Sequence, residues 1–178
     1  MSYKLGEVIL SRDTIARRVK EIASEITNDY SKNDSVLFVG ILTGAAFFLT
    51  DLVRELPEDL DIKVDFMSVA SYGSGTKSSG VVRIFHDLKG SIEGKHVIVV
   101  EDIVDSGLTL SHLLGILQQR NPASLKVCVL LDKYERRKTE VKVDYCGFRI
   151  PDKFVVGYGL DCANQWRHLK DIKYVIEE

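Results

Sequence analysis

Residues 35–41 read SVLFVGI, a short and almost wholly apolar run rich in β-branched residues. A strand with one wet face alternates apolar and polar side chains. A run without that alternation must be covered on both faces, as happens in parallel sheets flanked by helices. Further apolar runs occupy residues 62–69, 81–85, 96–100 and 125–131. Helical segments interrupt them. Ser11 and Asp13 can cap a helix whose apolar face is Ile15, Val19, Ile22 and Ile26, ending near Asn28, and a second helix is expected over residues 45–54. This order predicts an α/β chain with a mainly parallel sheet flanked by helices. The short β-like runs from Tyr145 onward, ending at residues 174–176, place the C-terminus beside the main sheet.

At 178 residues with 45% hydrophobic content, the chain can bury a real core and is read as one domain, residues 1–178. Its formal charge of −2 provides no global positive field for nucleic acid or an anionic membrane. An anionic ligand must therefore be held locally. Cys128, Cys146 and Cys162 are odd in number and unpaired in spacing, which fits reduced thiols in a cytoplasmic protein. The N-terminal MSYKLGEVIL carries Lys4 and Glu7 and lacks a signal-peptide pattern, and no stretch approaches the roughly 20 apolar residues of a membrane helix.

The most informative stretch for chemistry is HVIVVEDIVDSGLTLSHLLGILQQ, residues 96–119: strand, acidic pair, small polar loop, helix. Ligands of open α/β sheets bind at this end of a strand. Gly107 lets the backbone approach a ligand closely, amides at the helix start can donate to a phosphate, and the hydroxyls of Ser106 and Thr109 add donors. The loop lacks the Gly-Lys-Ser/Thr of a Walker motif and the three glycines of a dinucleotide fingerprint. Glu101, Asp102 and Asp105 would repel a bare anion at low dielectric. A sugar phosphate with a divalent cation removes the conflict, because ribose hydroxyls donate to carboxylates and Mg²⁺ bridges one or two carboxylates to phosphate oxygens.

VVEDIVDSGLTL closely resembles the phosphoribosyl-pyrophosphate loop of type I phosphoribosyltransferases. With the Glu-Asp pair, the later lysine and IPDKFVVGYGLD (residues 150–161), the similarity narrows to the hypoxanthine and hypoxanthine-guanine enzymes and extends over residues 35–167. The resemblance implies that fold, with a small hood built from the chain ends. It implies transfer of a phosphoribosyl group to a 6-oxopurine with Mg²⁺, commonly by dimers or tetramers.

Residue by residue, it implies that Glu101 and Asp102 hold the ribose hydroxyls directly or through Mg²⁺. Asp105, Ser106, Gly107, Leu108 and Thr109 would cradle the 5-phosphate, with Asp105 also the candidate general acid/base near purine N7. Leu42, Thr43 and Gly44 resemble the pyrophosphate loop, which commonly contains a cis peptide; many relatives carry lysine where Thr43 stands. Ser71 and Tyr72, at the start of the Gly/Ser-rich SYGSGTKSSG, correspond to a catalytic lid. Lys133 corresponds to the donor to purine O6, Phe154 to the stacking aromatic, Val155 to the backbone that reads the base edge, Asp161 to a ligand of a second Mg²⁺, and Arg167 to a pyrophosphate contact.

Taken singly these residues have plainer readings: Lys133 and Arg167 as surface charges, Phe154 and Val155 as core, Asp161 as a turn residue. RRKTE at residues 136–140 reads as an exposed charged connection. Two alternatives stay open, an RNA-binding regulator on the same fold and a transferase preferring guanine or xanthine.

Overall fold

A computed structural model describes residues 2–71 and 82–178. In chain order its elements are β1 (Tyr3–Leu10), α1 (Arg12–Asp29), β2 (Ser35–Leu42), α2 (Ala46–Arg54), β3 (Asp61–Ser71), β4 (Val82–His86), β5 (His96–Val104), α3 (Leu108–Gln118), β6 (Ser124–Asp132), a 3₁₀ turn (Tyr134–Arg136), β7 (Tyr145–Arg149), β8 (Val155–Val156) and β9 (Ile172–Glu177). Ser11 caps α1: its backbone is extended and its side chain accepts from the Thr14 amide.

The central sheet has the order β4-β3-β2-β5-β6-β7, parallel except for β4 at one edge. The apolar run of β2 has no polar face because both faces are covered. Val36 and Phe38 join a core with Ile15, Val19, Ile22 and Ile26 of α1 and Phe48, Leu49 and Leu52 of α2. Val39 and Ile41 point the other way, toward Leu110, Leu113 and Leu117 of α3. Each fully buried side chain of this size contributes about 1.5–3 kcal/mol relative to exposure.

The C-terminal runs divide. β7 lies parallel to β6 as the edge of the main sheet, whereas β8 and β9 leave it and form a separate antiparallel sheet, order β1-β9-β8. The placement of the whole C-terminus beside the main sheet is thus corrected for β8 and β9. Their partner is the N-terminal strand, joined from Tyr3↔Glu177 to Leu10↔Ile172. Buried Ile172 packs this small sheet into the same core as α1.

Parallel register decides where a site can form. Gly40 pairs with Val100 and Val100 with Cys128, so β2, β5 and β6 end side by side. Three connections therefore emerge at one edge: residues 42–45, 105–107 and 133–144.

The β6–β7 seam leaves no room for a side chain at Gly147, where a methyl group would meet the carbonyl oxygen of Leu130. The adjoining carbonyls of Cys146 and Gly147 accept from the Arg18 guanidinium of α1 at 2.7 and 3.2 Å. Gly147→Ala is expected to cost about 1–3 kcal/mol by overpacking. Thermal denaturation should record this as a midpoint lowered by about 2–4 °C per kcal/mol; an unchanged midpoint would show that the seam can relax.

Candidate active site

The strand-to-helix turn after β5 is built by Gly107. Its φ of 78° is left-handed, and it stands at the N-cap of α3 without a side-chain cap hydrogen bond. The first-turn amides are then available to an anion. Gly107 is also pressed from behind, since a Cβ there would lie 3.2 Å from the Thr139 carbonyl oxygen. The Lys138 amide donates to the Ser106 carbonyl at 2.9 Å, so residues 136–139 back the loop. Ser106, Leu108 and Thr109 are half-buried around it, with the Ser106 hydroxyl 3.5 Å from the Leu108 amide.

Glu101 and Asp102 stand one residue apart at the end of β5. Burial pushes the Glu101 carboxyl well above the usual carboxylate range, and the neighbouring Asp102 charge adds to the rise. Burial also pushes Asp102 up to about 6, against an opposing hydrogen bond from the Ile103 amide at 2.8 Å. Arg167 lowers and Asp161 raises the same carboxyl, so both lie within its field.

Asp102 is walled in by the connection after β2. Leu42–Thr43 is a cis peptide, Thr43 is exposed and Gly44 is buried. A Cβ on Gly44 would fall inside the Asp102 carboxylate, and a Cβ on Gly159 would collide with the Gly44 carbonyl oxygen. The connection after β2 and residues 157–161 thus meet backbone to backbone beside the Asp102 carboxyl of β5. Gly159 has φ 102°, a conformation favouring glycine. The neighbouring Tyr158 hydroxyl donates to Asp51 of α2 at 2.6 Å, and Arg167 Nη1 donates to the Gly159 carbonyl at 2.6 Å. Arg167 Nη2 also pairs with Asp161 Oδ1 at 2.6 Å, so these two expected ligand contacts hold each other.

The remaining residues gather beside this centre. Lys133, immediately after β6, is only 5% exposed, which removes its reading as a surface charge. Its Nζ stands 3.5 Å from Asp152 Oδ1. Phe154 is 52% exposed, an aromatic face left to solvent beside the buried Val155. Asp105 meets Arg136: Nε is 3.1 Å from Oδ1, and Nη1 donates to Oδ2 at 3.2 Å. Ser71 ends β3, paired with Val82. Tyr72 lies outside the described residues, as does most of the segment read as a lid.

The reading of residues 136–140 as a merely exposed charged connection is corrected at its second residue. Arg137 pairs at 2.9 Å with Asp132, which is 4% exposed, because a buried carboxylate at a strand end requires a counter-charge. Sequence reasoning also assigned no role to Arg136, Asp152, Tyr158 or Gly159. Three of these lie within residues 150–161, so the signal was local; Arg136 gave none beyond its charge.

Glu101 and Asp102 are the carboxyls that could hold a cation. Among the described residues no group of three or more His, Cys, Asp or Glu side chains forms a metal cage. A cation held by one or two carboxylates and completed by phosphate oxygens and water needs none. Among the described residues no helix is long and apolar enough to cross a membrane.

Residues 7–163 match the family model described as the phosphoribosyl transferase domain. The chain is 49% identical over 173 residues to the hypoxanthine-guanine phosphoribosyltransferase of Dictyostelium discoideum, covering 97% of this chain and 96% of that one. It is 47% identical over 170 residues to the hypoxanthine-guanine-xanthine phosphoribosyltransferase of Tritrichomonas foetus, with 95% and 91% covered. A crystal structure of a hypoxanthine-guanine phosphoribosyltransferase from Bacillus anthracis superposes with a TM-score of 0.91 at 39% identity, covering 99% of this chain and all of that one.

The raised Asp102 carboxyl has a consequence for stability. Its folded-state value, about 6, lies above the roughly 3.9 of an unfolded aspartate, so folding disfavours its charge. The resulting penalty grows as pH rises from about 4 to 6 and is complete at neutral pH, on the order of 2 kcal/mol. Asp102→Asn should therefore raise the melting temperature of the ligand-free protein at neutral pH and give little gain near pH 4, while weakening substrate binding. A neutral variant that melts lower at pH 7 would show that the carboxylate is stabilised in its charged form.

Proposed function

The chain belongs to the phosphoribosyl transferase domain family, and from that premise we propose a purine-salvage transferase that converts hypoxanthine, and guanine, with phosphoribosyl pyrophosphate to IMP or GMP and pyrophosphate. The observation that carries this reading is a convergence at the carboxyl end of the main sheet. Two half-buried adjacent carboxyls, an uncapped helix start behind Gly107, a buried lysine and an exposed aromatic face share the ends of β5, β6 and β8.

The roles follow from chemistry. The amides and hydroxyls of residues 105–109 hold the 5-phosphate, while Glu101 and Asp102 accept from the ribose hydroxyls. When bound, Mg²⁺ supplies the counter-charge for these carboxylates and for the departing pyrophosphate. Leu42, Thr43 and Gly44 turn backbone toward that pyrophosphate, and Arg167 offers its guanidinium. Asp161, paired with Arg167 in the ligand-free protein, would exchange that partner for a second Mg²⁺. Phe154 stacks on the purine, Lys133 donates to O6 and the backbone at Val155 meets the base edge.

In the reaction the N9 lone pair forms a bond to C1′ of the ribose as the bond from C1′ to the pyrophosphate oxygen breaks. The electron pair of the broken bond leaves with pyrophosphate, and the proton on purine N7 passes to Asp105. The oxocarbenium-like centre requires water to be excluded, the role assigned by resemblance to Ser71 and Tyr72. The proposal extends to one domain spanning the chain, assembled as a cytoplasmic dimer or tetramer.

An RNA-binding role is less well supported. The net charge is −2, and Arg136 and Arg137 of the basic run at residues 136–138 are engaged with Asp105, Asp152 and Asp132.

The direct test is to supply phosphoribosyl pyrophosphate, Mg²⁺ and each nucleobase in turn, then identify the nucleotide formed. IMP is expected from hypoxanthine, and EDTA should abolish its formation; full turnover in metal-free buffer would reject the role given to Glu101 and Asp102.

Base choice tests Lys133 separately. An ammonium has donors only, so it matches the 6-oxo acceptor of hypoxanthine and finds no partner in the amino group of adenine. In a site this buried, such a mismatch should reject adenine by roughly 10⁴–10⁵ in kcat/KM. Lys133→Gln should lower hypoxanthine use and narrow that ratio. An unchanged ratio would place O6 recognition on another residue.

A further inference from the structure

Four charged side chains outside any single element form an alternating series across the cleft. Arg136 contacts Asp105 through Nε, 3.1 Å from Oδ1, and through Nη1, 3.2 Å from Oδ2. The same Nη1 lies 3.4 Å from Asp152 Oδ1, and that oxygen lies 3.5 Å from Lys133 Nζ. The order is carboxylate, guanidinium, carboxylate, ammonium. Its two ends are the groups that must meet N7 and O6 of one purine; its two middle members have no role in the reaction described above.

The two oxygens of Asp105 are not equivalent. Oδ1 is buried and receives no hydrogen bond from the described residues, although the Arg136 charge lies beside it; Oδ2 accepts from Nη1. A buried acceptor without a donor costs about 1–3 kcal/mol. An adjacent cation offsets that cost. Without Arg136, rotation about the terminal torsion of Asp105, which is broad for a carboxylate, would return Oδ1 to water. The oxygen presented to the base would change. Asp152 acts in the same manner at the other end, holding the nearly buried Lys133 ammonium and the Arg136 guanidinium by one oxygen.

We infer that Arg136 and Asp152 are positioning residues for purine recognition, Arg136 selecting which Asp105 oxygen faces N7 and Asp152 setting the direction of the Lys133 ammonium toward O6. This rests on the transferase reading above. Each pair is about half exposed except Lys133, so the contribution to stability is small. The effect belongs to geometry, where a displacement of about 1 Å can cost roughly 100-fold in rate.

The test uses the full-length protein with hypoxanthine, phosphoribosyl pyrophosphate and Mg²⁺. Arg136→Gln is expected to lower single-turnover kcat by roughly 10- to 100-fold while leaving the melting temperature and the KM for phosphoribosyl pyrophosphate at wild-type values. Arg136→Lys, which keeps the charge but loses the planar fork, should recover part of the loss. Asp152→Asn should raise the KM for hypoxanthine. In an Asp105→Asn background, Arg136→Gln should cost nothing further, because the oxygen it selects no longer accepts the proton. Wild-type kcat in Arg136→Gln, or the same fractional loss in both backgrounds, would overturn the inference. If the unaltered protein forms no IMP, the transferase reading itself falls, an outcome distinct from either.

Discussion

The backbone of Gly44 lies so close to the Asp102 carboxylate that no side chain fits between them, and the rest of the site is arranged around that contact. It requires β2 and β5 to be parallel neighbours ending together, as the pairing of Gly40 with Val100 ensures. It also requires Gly159 to pass behind Gly44 without a side chain. Tyr158 and Arg167 secure this third connection through Asp51 and the Gly159 carbonyl. The connection after β2, the end of β5 and residues 157–161 are thereby joined at one point.

That closeness has an electrostatic cost. Glu101 and Asp102 sit one residue apart and are both shifted upward chiefly by burial, so the ligand-free fold carries charge it does not favour. Such an arrangement is more consistent with binding than with stability. The Arg137–Asp132 pair, by contrast, is a buried charge matched inside the protein. It anchors residues 136–139, which in turn support the loop at residues 105–107 from behind through the Lys138 amide. Asp132 and the Glu101–Asp102 pair lie near the ends of neighbouring strands, and of these three carboxyls only Asp132 forms an ion pair among the described residues.

Stiffness is distributed accordingly. The sheet and its cores hold Glu101 and Asp102 on β5, while Asp105, Lys133, Asp161 and Arg167 lie in connections braced by hydrogen bonds and ion pairs. The small β1-β9-β8 sheet carries Val155 and adjoins Phe154, so this exposed aromatic face rests on a sheet closed by the two ends of the chain. Its attachment to the α1 core through Ile172 gives that face a fixed support.

Much was legible in the sequence because it is encoded locally. The buried run of β2, the Ser11 cap and the apolar face of α1 each depend on residues within a few positions of one another, and the strand–loop–helix order of residues 96–119 carries its own chemistry. The hood that joins β8 and β9 to β1 was expected only through the family resemblance and not from local pattern, since β1 lies at the opposite end of the chain and several edges could accept a strand. The burial of Lys133 was not legible, since its surroundings come from separate connections. The alternation of Asp105, Arg136, Asp152 and Lys133 likewise exists only once β6 runs beside β5 and the chain returns at residue 152. Sequence alone determined the fold class and which residues could take part; tertiary structure decided which charges are buried and which face one another, because the register between distant strands sets those distances.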